Sequence, residues 1–326
     1  MNRAGLIFAA LLALLLPLSL LAGRVWIDPL GGASPQNAAL ILAELRLPRA
    51  VLAVVIGAGL GAAGAAMQGY LRNPLADPGL FGIAPMAALG AVASFWLGAS
   101  WALPLAALAG AGLGMALLAL IAGRTAGDAA GGAGGGIALF TLAGLMLASL
   151  AGALTALAIT LAPNPFALSE IVLWLNGALT DRSWHEVLIA APLVVAGIAV
   201  LMLAGRSLDG LTLGEEAARS LGLDPARLLV LLLLGVGLTV GAGVAVAGII
   251  GFVGLIVPHL VRPLTDRLPS SLILPSALAG ACLVLAADSV VRILPLVSEL
   301  RLGIALSLIG APFFGWLLVR MRRGQA

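Results

Sequence analysis

Long stretches without a charged side chain constrain the fold of this chain more than any other feature of its sequence. Eight such stretches, all mainly apolar, cover residues 4–23, 50–71, 78–123, 129–169, 187–205, 228–261, 268–287 and 302–319. About 20 apolar residues in a helix are enough to cross the hydrocarbon core of a membrane, which is about 30 Å thick. The sequence therefore predicts an all-α, polytopic membrane protein.

The three longest stretches decide the number of helices. Residues 78–123 are long enough for two spans with a turn near Gly98, whereas residues 129–169 hold one helix after a glycine-rich start. Residues 228–261 break at a cluster of glycines into a span and a short return segment. We therefore expect about ten helices in a single transmembrane domain covering residues 1–326, with a short helix in one of the loops.

The absence of lysine narrows the function. Hydrophobic residues make up 62% of the sequence and charged residues 10%, the formal net charge is +3, and all 17 basic residues are arginine. A GxxxxGK[ST] phosphate loop and a Schiff-base site both need a lysine, so another chain must bind ATP if ATP is used. The arginines are scattered, which argues against nucleic-acid binding. The single Cys282 excludes an internal disulfide and a cysteine-based metal site.

The distribution of arginine predicts the orientation in the membrane. An even number of helices places both termini on one side, and cytoplasmic loops carry an excess of positive charge. With both termini in the cytoplasm, eleven arginines lie inside and six lie outside, the six being Arg24, Arg46, Arg49, Arg182, Arg292 and Arg301. The stretch 4–23 also fits a cleaved signal peptide. We favour a retained helix, because removing it would leave an odd number of helices, and the distribution of the arginines supports an even number.

The most charged part of the chain is the segment 206–227. Thr212 and Glu215 have the spacing of a capping box, with Thr212 as the N-cap, and Gly222 fits the residue that follows a helix C-terminus. Asp224, followed by proline, fits the start of the next helix. This pattern predicts a short capped helix at the membrane surface, although an ordinary solvated loop fits the same residues equally well.

Small residues at helical spacing, such as Gly57 and Gly61, allow membrane helices to approach closely. This packing can occur within one subunit or between two. The predicted helix 137–161 has small residues at the same spacing and also three hydroxyl groups, which makes it a candidate wall of a transport pathway. The hydroxyl groups are those of Thr141, Ser149 and Thr155.

Five stretches resemble, in the same order along the chain, permeases of the iron-siderophore, haem and vitamin B12 family of bacterial ABC importers, which have the type II importer fold. The stretches are RLPR at 46–49, GAAMQ and RNPLADP within 64–78, GEEAARSLG at 214–222, GFVGLIVPH at 251–259 and GAPFF at 310–314. The resemblance covers nearly the whole chain. It implies a homodimeric permease of the bacterial inner membrane that is not itself an enzyme.

The resemblance also implies partners. Two separate ATPase subunits would carry ATP and Mg²⁺ and contact the coupling helices, and a periplasmic substrate-binding protein would dock on the outer face. A metal chelate would pass along the dimer axis within the lipid bilayer. We expect no cofactor and no metal site on this chain. His185 and His259 have no neighbouring ligands at metal-binding spacing, so we interpret both as structural.

Three groups of residues are expected to form the functional sites. Coupling to the ATPase is assigned to Thr212, Gly214, Glu215, Glu216, Ala217, Ala218, Arg219, Leu221 and Gly222. Docking of the binding protein is assigned to Arg46, Arg49 and Arg292, with lipid headgroups or an Asp288–Arg292 pair as the alternative. The pathway and its gates are assigned to Gln68, Asn73, Pro74, Thr141, Ser149, Thr155, Gly254 and Pro258.

The sequence leaves the substrate open among an iron-siderophore complex, which we favour, cobalamin and haem. It departs from the family at Arg301, where proline is usual, and in the loop 131–136, to which no gate residue can be transferred. An ion-coupled secondary transporter or a channel without an ATPase partner is the alternative function. Secondary transporters usually carry ionisable groups in mid-span, whereas here the spans are charge-free apart from Asp288 near an outer end.

The predicted orientation can be tested by cysteine labelling. In a Cys282→Ser background, a cysteine at Ser220 or Gln325 should react with a membrane-impermeant maleimide only after the membrane is permeabilised. A cysteine at Arg301 is the matched control, because it should react in intact spheroplasts. Labelling of either cytoplasmic position in intact spheroplasts would show that the orientation is wrong.

Overall fold

The computed structural model describes residues 3–23, 35–126 and 135–322, and all regular secondary structure in these ranges is helical. The helices are, in chain order, α1 Arg3–Leu21, α2 Pro35–Leu40, α3 Leu47–Leu71, α4 Ile83–Trp96, α5 Leu103–Ala126, α6 Gly135–Thr160, α7 Pro165–Leu175, α8 Trp184–Leu211, α9 Glu215–Ser220, α10 Pro225–Ala247, α11 Val253–Val261, α12 Pro269–Ile293 and α13 Leu302–Arg322. A π-helical segment, Ile41–Arg46, joins α2 to α3, and short 3₁₀ turns are formed by Pro78–Leu80, Ser100–Ala102 and Arg262–Leu264.

Eight helical segments in the described ranges are long and apolar enough to cross a membrane. The same ranges contain three shorter apolar helices, α4, α7 and α11, and the eight spans together with α4 and α11 correspond to the predicted ten. The break in the stretch 228–261 falls at Gly248, which has a φ of 74°. Helix α7 was not predicted. Its start has a local signal, because the Asn164 side chain accepts a hydrogen bond from Ala167 N–H (2.8 Å) and Pro165 follows, but Glu170 interrupts the apolar pattern.

Helix α3 lies at the centre of the bundle and packs against α8, α10, α11 and α12. Its contact with α12 brings the two backbones together. A Cβ atom added at Gly57 would overlap the backbone of Gly280, and one added at Gly61 would overlap the backbone of Ser276. The small residues that the sequence places on α3 therefore serve packing within one subunit.

The outer helices present apolar side chains outwards. One leucine on each of four outer helices is exposed by about two thirds or more: Leu105 of α5 (66%), Leu142 of α6 (64%), Leu203 of α8 (72%) and Leu308 of α13 (66%). Water-soluble proteins rarely expose apolar surface on this scale. Lipid, or a second subunit, is the environment that such a surface fits.

The contact between α3 and α12 can be tested with one substitution at two glycines. Gly61→Ala should lower the melting temperature of the purified protein, because the added methyl group meets backbone that cannot move aside, at a free-energy cost of about 1–3 kcal/mol. The matched control is Gly112→Ala on α5, where no atom lies within 4 Å of the added group. The control should be neutral or slightly stabilising, since alanine favours a helix. Equal effects at the two sites would contradict the close approach.

Candidate functional site

At one end of the bundle, the short helix α9 connects α8 to α10. Helix α8 runs on to Leu211 with Thr212 as its C-cap, and Thr212 Oγ1 donates a hydrogen bond to Asp209 O (2.6 Å). The N-cap of α9 is Gly214, with a φ of 101° and no side-chain capping bond. The predicted capping box is therefore wrong. Helix α8 continues through the charged residues Arg206 and Asp209 instead of ending before them. Thr212 therefore lies at the end of α8, and Glu215 is the first residue of α9.

The C-terminal end of α9 agrees with the sequence. Gly222 has a φ of 78°, its N–H donates to Arg219 O (2.9 Å), and Leu223 N–H donates to Ala218 O (3.1 Å). These two bonds form a Schellman motif, which requires a left-handed residue at the position of the glycine. Without a side chain, Gly222 adopts this conformation at no steric cost.

Helix α10 begins directly after this turn. Asp224 caps it by accepting a hydrogen bond from Ala226 N–H (2.9 Å), and Pro225 is the first helical residue. The connection from α9 to α10 is thus two residues, Leu223 and Asp224, after the glycine. Leu223 and Asp224 both take part in these bonds, so a short hydrogen-bonded turn joins α9 to α10.

The surface of α9 has a mixed character. Ala218 is buried at 5% exposure, whereas Glu216 and Arg219 are exposed. Two large apolar side chains flank these charges, Leu213 at 67% and Leu221 at 64% exposure. Exposed leucines beside charged residues on a rigid helix fit a protein–protein contact better than a solvated loop.

Near the same end, α11 crosses α3 at a pair of glycines. A Cβ atom at Gly64 would overlap Gly254, and one at Gly254 would lie 2.5 Å from Pro78 Cδ. One turn along α3, the buried Gln68 spans the crossing: its Nε2 donates to Gly254 O (3.2 Å), and its Oε1 accepts from Arg262 (2.7 Å). The structure thus brings two predicted gate residues, Gln68 and Gly254, into contact. The third one in this region, Pro258, is buried inside α11.

The turn between α3 and α4 carries the next predicted gate residues. Helix α3 ends at Leu71 with Arg72 as its C-cap, and exposed Asn73 stabilises the turn by accepting a hydrogen bond from Leu75 N–H (2.9 Å) through its Oδ1. Pro74 is partly buried beside it. At the end of this turn, Asp77 Oδ1 accepts from Gly79 N–H (2.8 Å) and caps the 3₁₀ turn Pro78–Leu80.

Asp77 faces a cavity of about 360 Å³ between α3, α10 and the segment that leads into α11. It is the only charged side chain among the described lining residues, which include Ile56, Leu60, Val244, Ile249, Phe252 and Phe314. Its Oδ2 atom is buried and has no hydrogen-bond partner in the described structure. Burial raises the pKa of Asp77 to about 6, against the opposing effects of the hydrogen bond from Gly79 N–H and of the nearby N–H group of Leu255. Sequence reasoning missed this carboxyl group, although it lies within the stretch RNPLADP.

The polar residues of α6 lie apart from this cavity. Thr141 Oγ1 donates to Ile137 O of its own helix (2.9 Å), Ser149 is exposed and Thr155 is partly exposed. None of the three lines the cavity beside Asp77. Their role in the pathway stays a prediction. Residues 131–134 of the glycine-rich loop lie outside the described residues.

At the opposite end of the bundle, a buried carboxylate joins two of the predicted docking arginines. Asp288 is fully buried and lies 2.8 Å from Arg49 and 3.2 Å from Arg292, measured between oxygen and nitrogen atoms. Arg49 also pairs with Glu299, and Arg292 donates to Ser19 Oγ of α1 (2.6 Å). The network therefore ties together α1, α3, α12 and the loop before α13.

This geometry bears on the predicted docking patch. The Arg49 side chain is only 12% exposed and Arg292 is buried, and Arg46 donates to Leu20 O (2.8 Å). The alternative interpretation, an Asp288–Arg292 pair within α12, is confirmed. Docking on these arginines stays a prediction, and it requires partner carboxylates that reach into the network.

Glu299 is the outermost acid of the network, in the loop that precedes α13. Burial opposes its ionisation, but the hydrogen bond and the charge of Arg49 outweigh burial and hold the pKa of Glu299 below its usual value. The pair with Arg49 therefore persists at any pH near neutrality. No sequence pattern connects Glu299 to Arg49, because the two lie 250 residues apart.

With the geometry described, comparison with known proteins decides the family. The sequence model of the FecCD transport family matches residues 6–320. The chain belongs to the FecCD transport family. One relative is the vitamin B12 import system permease protein BtuC of Vibrio cholerae, 38% identical over 98% of this chain and 94% of that protein. Another is the hemin transport system permease protein HmuU of Yersinia pestis, 38% identical over 87% of this chain and 84% of that protein.

A solved structure supports the same assignment. A chain described as a metal-chelate type ABC transporter in an inward-facing conformation superimposes on this FecCD protein with a TM-score of 0.87. The two sequences are 30% identical, and the match covers 97% of this chain and 98% of the other. The predicted family and the predicted polytopic permease fold are thereby confirmed.

The outer network predicts different effects for its central and its outermost acid. Asp288→Asn should destabilise the protein by about 3–5 kcal/mol, because it leaves two buried arginines with too little negative charge. Glu299→Gln should cost about 1 kcal/mol or less, because Glu299 lies at the solvent-accessible edge. Thermal unfolding of the two purified variants in the same lipid–detergent mixture measures the difference. Similar melting temperatures for the two variants would contradict a buried central charge.

Proposed function

We propose that this FecCD protein is the transmembrane permease of an ATP-driven importer, and that it moves a metal chelate from the periplasm to the cytoplasm. An iron-siderophore complex is the substrate that we favour, followed by cobalamin and haem. The relatives named for vitamin B12 and hemin support this substrate class, since both molecules are chelates with an enclosed metal ion. A cavity wall that is apolar apart from one carboxyl group suits such a cargo better than it suits a bare ion.

The observation that carries the proposal is the structure of α9. A chain without lysine has no phosphate loop, so the work of ATP hydrolysis must enter through contact with another protein. Helix α9 is exposed, bears charges between two leucines, and is joined rigidly to α10. Helix α10 packs in turn against α3, α5 and α8. A displacement of α9 by an ATPase subunit would thus reach the centre of the bundle.

The proposal includes the assembly. Two copies of the permease would form a homodimer, two ATPase subunits would bind the α9 helices, and a periplasmic binding protein would deliver the chelate to the other end. Both termini and α9 would face the cytoplasm. Outward-facing leucines on α6 and α13, such as Leu142 and Leu308, provide apolar surface for lipid or for the second copy.

Reversal of charge on α9 tests the coupling. The variant Glu215→Arg with Glu216→Arg should lose at least tenfold in substrate uptake and in stimulation of the ATPase, because the charged contact is inverted. Gly222→Val should act in the same direction, since a β-branched residue disfavours the left-handed conformation by about 1–2 kcal/mol. Both variants should still insert into the membrane.

The measurement is uptake and ATPase activity of the purified complex in proteoliposomes. Glu44→Arg is the matched control, because Glu44 is exposed near the opposite end of the bundle. Wild-type uptake and ATPase activity in the doubly reversed variant would show that α9 is not the coupling element. Full uptake by the permease without any ATPase subunit would refute the importer itself.

A further inference from the structure

Three arginines line a second cavity, of about 320 Å³, at the end of the bundle that carries α9. Arg72 follows α3, Arg262 follows α11, and Arg267 lies in the loop before α12. Asn73 and Thr212 contribute polar groups to the same cavity. Within the described residues, none of the three arginines forms an ion pair with a carboxylate.

Two acidic side chains that lie close in sequence to lining residues of this cavity, Asp266 and Asp209, accept hydrogen bonds from other donors. Asp266 accepts hydrogen bonds from Leu268 N–H (3.1 Å) and from the Ser271 hydroxyl group. Asp209 accepts one from Ser270 N–H (2.8 Å). Three like charges around one cavity repel each other, and these carboxylates do not relieve the repulsion by pairing with the arginines.

One hydrogen bond and two unusual backbone conformations fix the residues around the cavity. Arg262 is oriented by the buried Gln68, whose Oε1 accepts its hydrogen bond (2.7 Å). Arg72 and Arg267 have φ values of 50° and 67°, in the left-handed region. A residue with a side chain costs about 1–2 kcal/mol there, where glycine would cost little. The fold thus keeps Arg72 and Arg267 in backbone conformations that disfavour any residue with a side chain.

Exposed apolar side chains in the chain segment that carries two of these arginines indicate the source of a ligand. Leu260, Leu264 and Leu268 are exposed by 52%, 47% and 44%, and they alternate along the chain with Arg262 and Arg267. Guanidinium groups bind phosphate through paired hydrogen bonds, and exposed leucines fit acyl chains. Basic pockets between membrane helices are known to bind anionic headgroups.

We propose that this cavity binds a phosphate group, and that the phosphate belongs to the headgroup of an anionic phospholipid. The headgroup contacts Arg72, Arg262 and Arg267, and its acyl chains lie along the leucines. It would hold together the ends of α3, α11 and α12 next to α9. Placement in the inner leaflet rests on the proposed orientation of the permease, whereas binding of the phosphate does not.

The experiment uses the purified full-length chain in a mild detergent. Dioleoyl-phosphatidylglycerol, dioleoyl-phosphatidylcholine and inorganic phosphate are added separately, and bound molecules and melting temperature are recorded by native mass spectrometry and thermal unfolding. Phosphatidylglycerol should be retained and should raise the melting temperature most. In Arg72→Gln with Arg267→Gln, its affinity should fall about fivefold for each arginine removed. This variant leaves the Arg262–Gln68 bond intact.

The matched control is Arg206→Gln with Arg227→Gln, which removes two exposed arginines near α9 that do not line the cavity. It should retain phosphatidylglycerol as the wild type does. If the double cavity variant does not fold, Arg267→Gln alone should show the fivefold loss, since no side-chain hydrogen bond of Arg267 contributes to the described structure.

Three outcomes would overturn the proposal. The first is equal retention of phosphatidylglycerol by the cavity variant and the wild type. The second is that inorganic phosphate raises the melting temperature as much as the lipid does and displaces it. The ligand would then be a soluble phosphate and not a lipid. The third, seen when the cavity variant is co-expressed with an ATPase subunit, is loss of the co-purified subunit at unchanged lipid affinity, which would assign the arginines to a protein contact. Lipid retention does not depend on uptake, so this proposal and the proposed function fail separately.

Discussion

The close approach of α3 to α12 and α11 is the contact on which the other features of the fold depend. Where Gly57 and Gly61 face α12, and Gly64 faces α11, backbone meets backbone without intervening side chains. Gln68 reaches the carbonyl oxygen of Gly254 only because the helices are this close. The same proximity at the other end of the helix places Arg49 against Asp288. In a lipid environment, where apolar side chains gain little by leaving the solvent, such packing is the main source of helix association.

Helix α3 therefore connects two polar clusters at opposite ends of an apolar bundle. One cluster is the buried ion-pair network of Arg49, Asp288 and Arg292, and the other is the hydrogen-bonded crossing of Gln68 with α11 and Arg262. Each cluster joins segments distant in sequence. Because the span between them is packed at glycine contacts, the two ends of α3 cannot move independently without separating backbones. This rigidity suits a chain that must relate events on two sides of a membrane.

The parts of the structure that sequence reasoning predicted depend on local or one-dimensional signals. Charge-free stretches predict the eight long spans and the shorter helices α4 and α11, and Gly222 with Asp224 predicts the turn between α9 and α10. One local prediction is wrong at a helix boundary: α8 continues through Arg206 and Asp209, so Thr212 ends a helix instead of starting one. Helix α7 has no prediction, because Glu170 interrupts its apolar pattern. The pairing of Arg49 with Asp288 joins residues 239 apart, and no spacing rule reports a contact of that kind. The sequence alone therefore assigns the predicted docking arginines to the surface, whereas Arg49 and Arg292 are largely buried.

The cavity beside Asp77 has a consequence for the volume of the protein. The cavity of about 360 Å³ is partly open, so it adds to the volume of this conformation only where solvent or lipid leaves it unfilled. Hydrostatic pressure favours the state of smaller volume, to an extent that scales with the void eliminated. In a transporter that alternates between conformations, pressure thus acts like a ligand of the closed-cavity state. If the helices around this cavity close during transport, compression alone would favour the closed-cavity state of the chain, without nucleotide, cargo or partner protein.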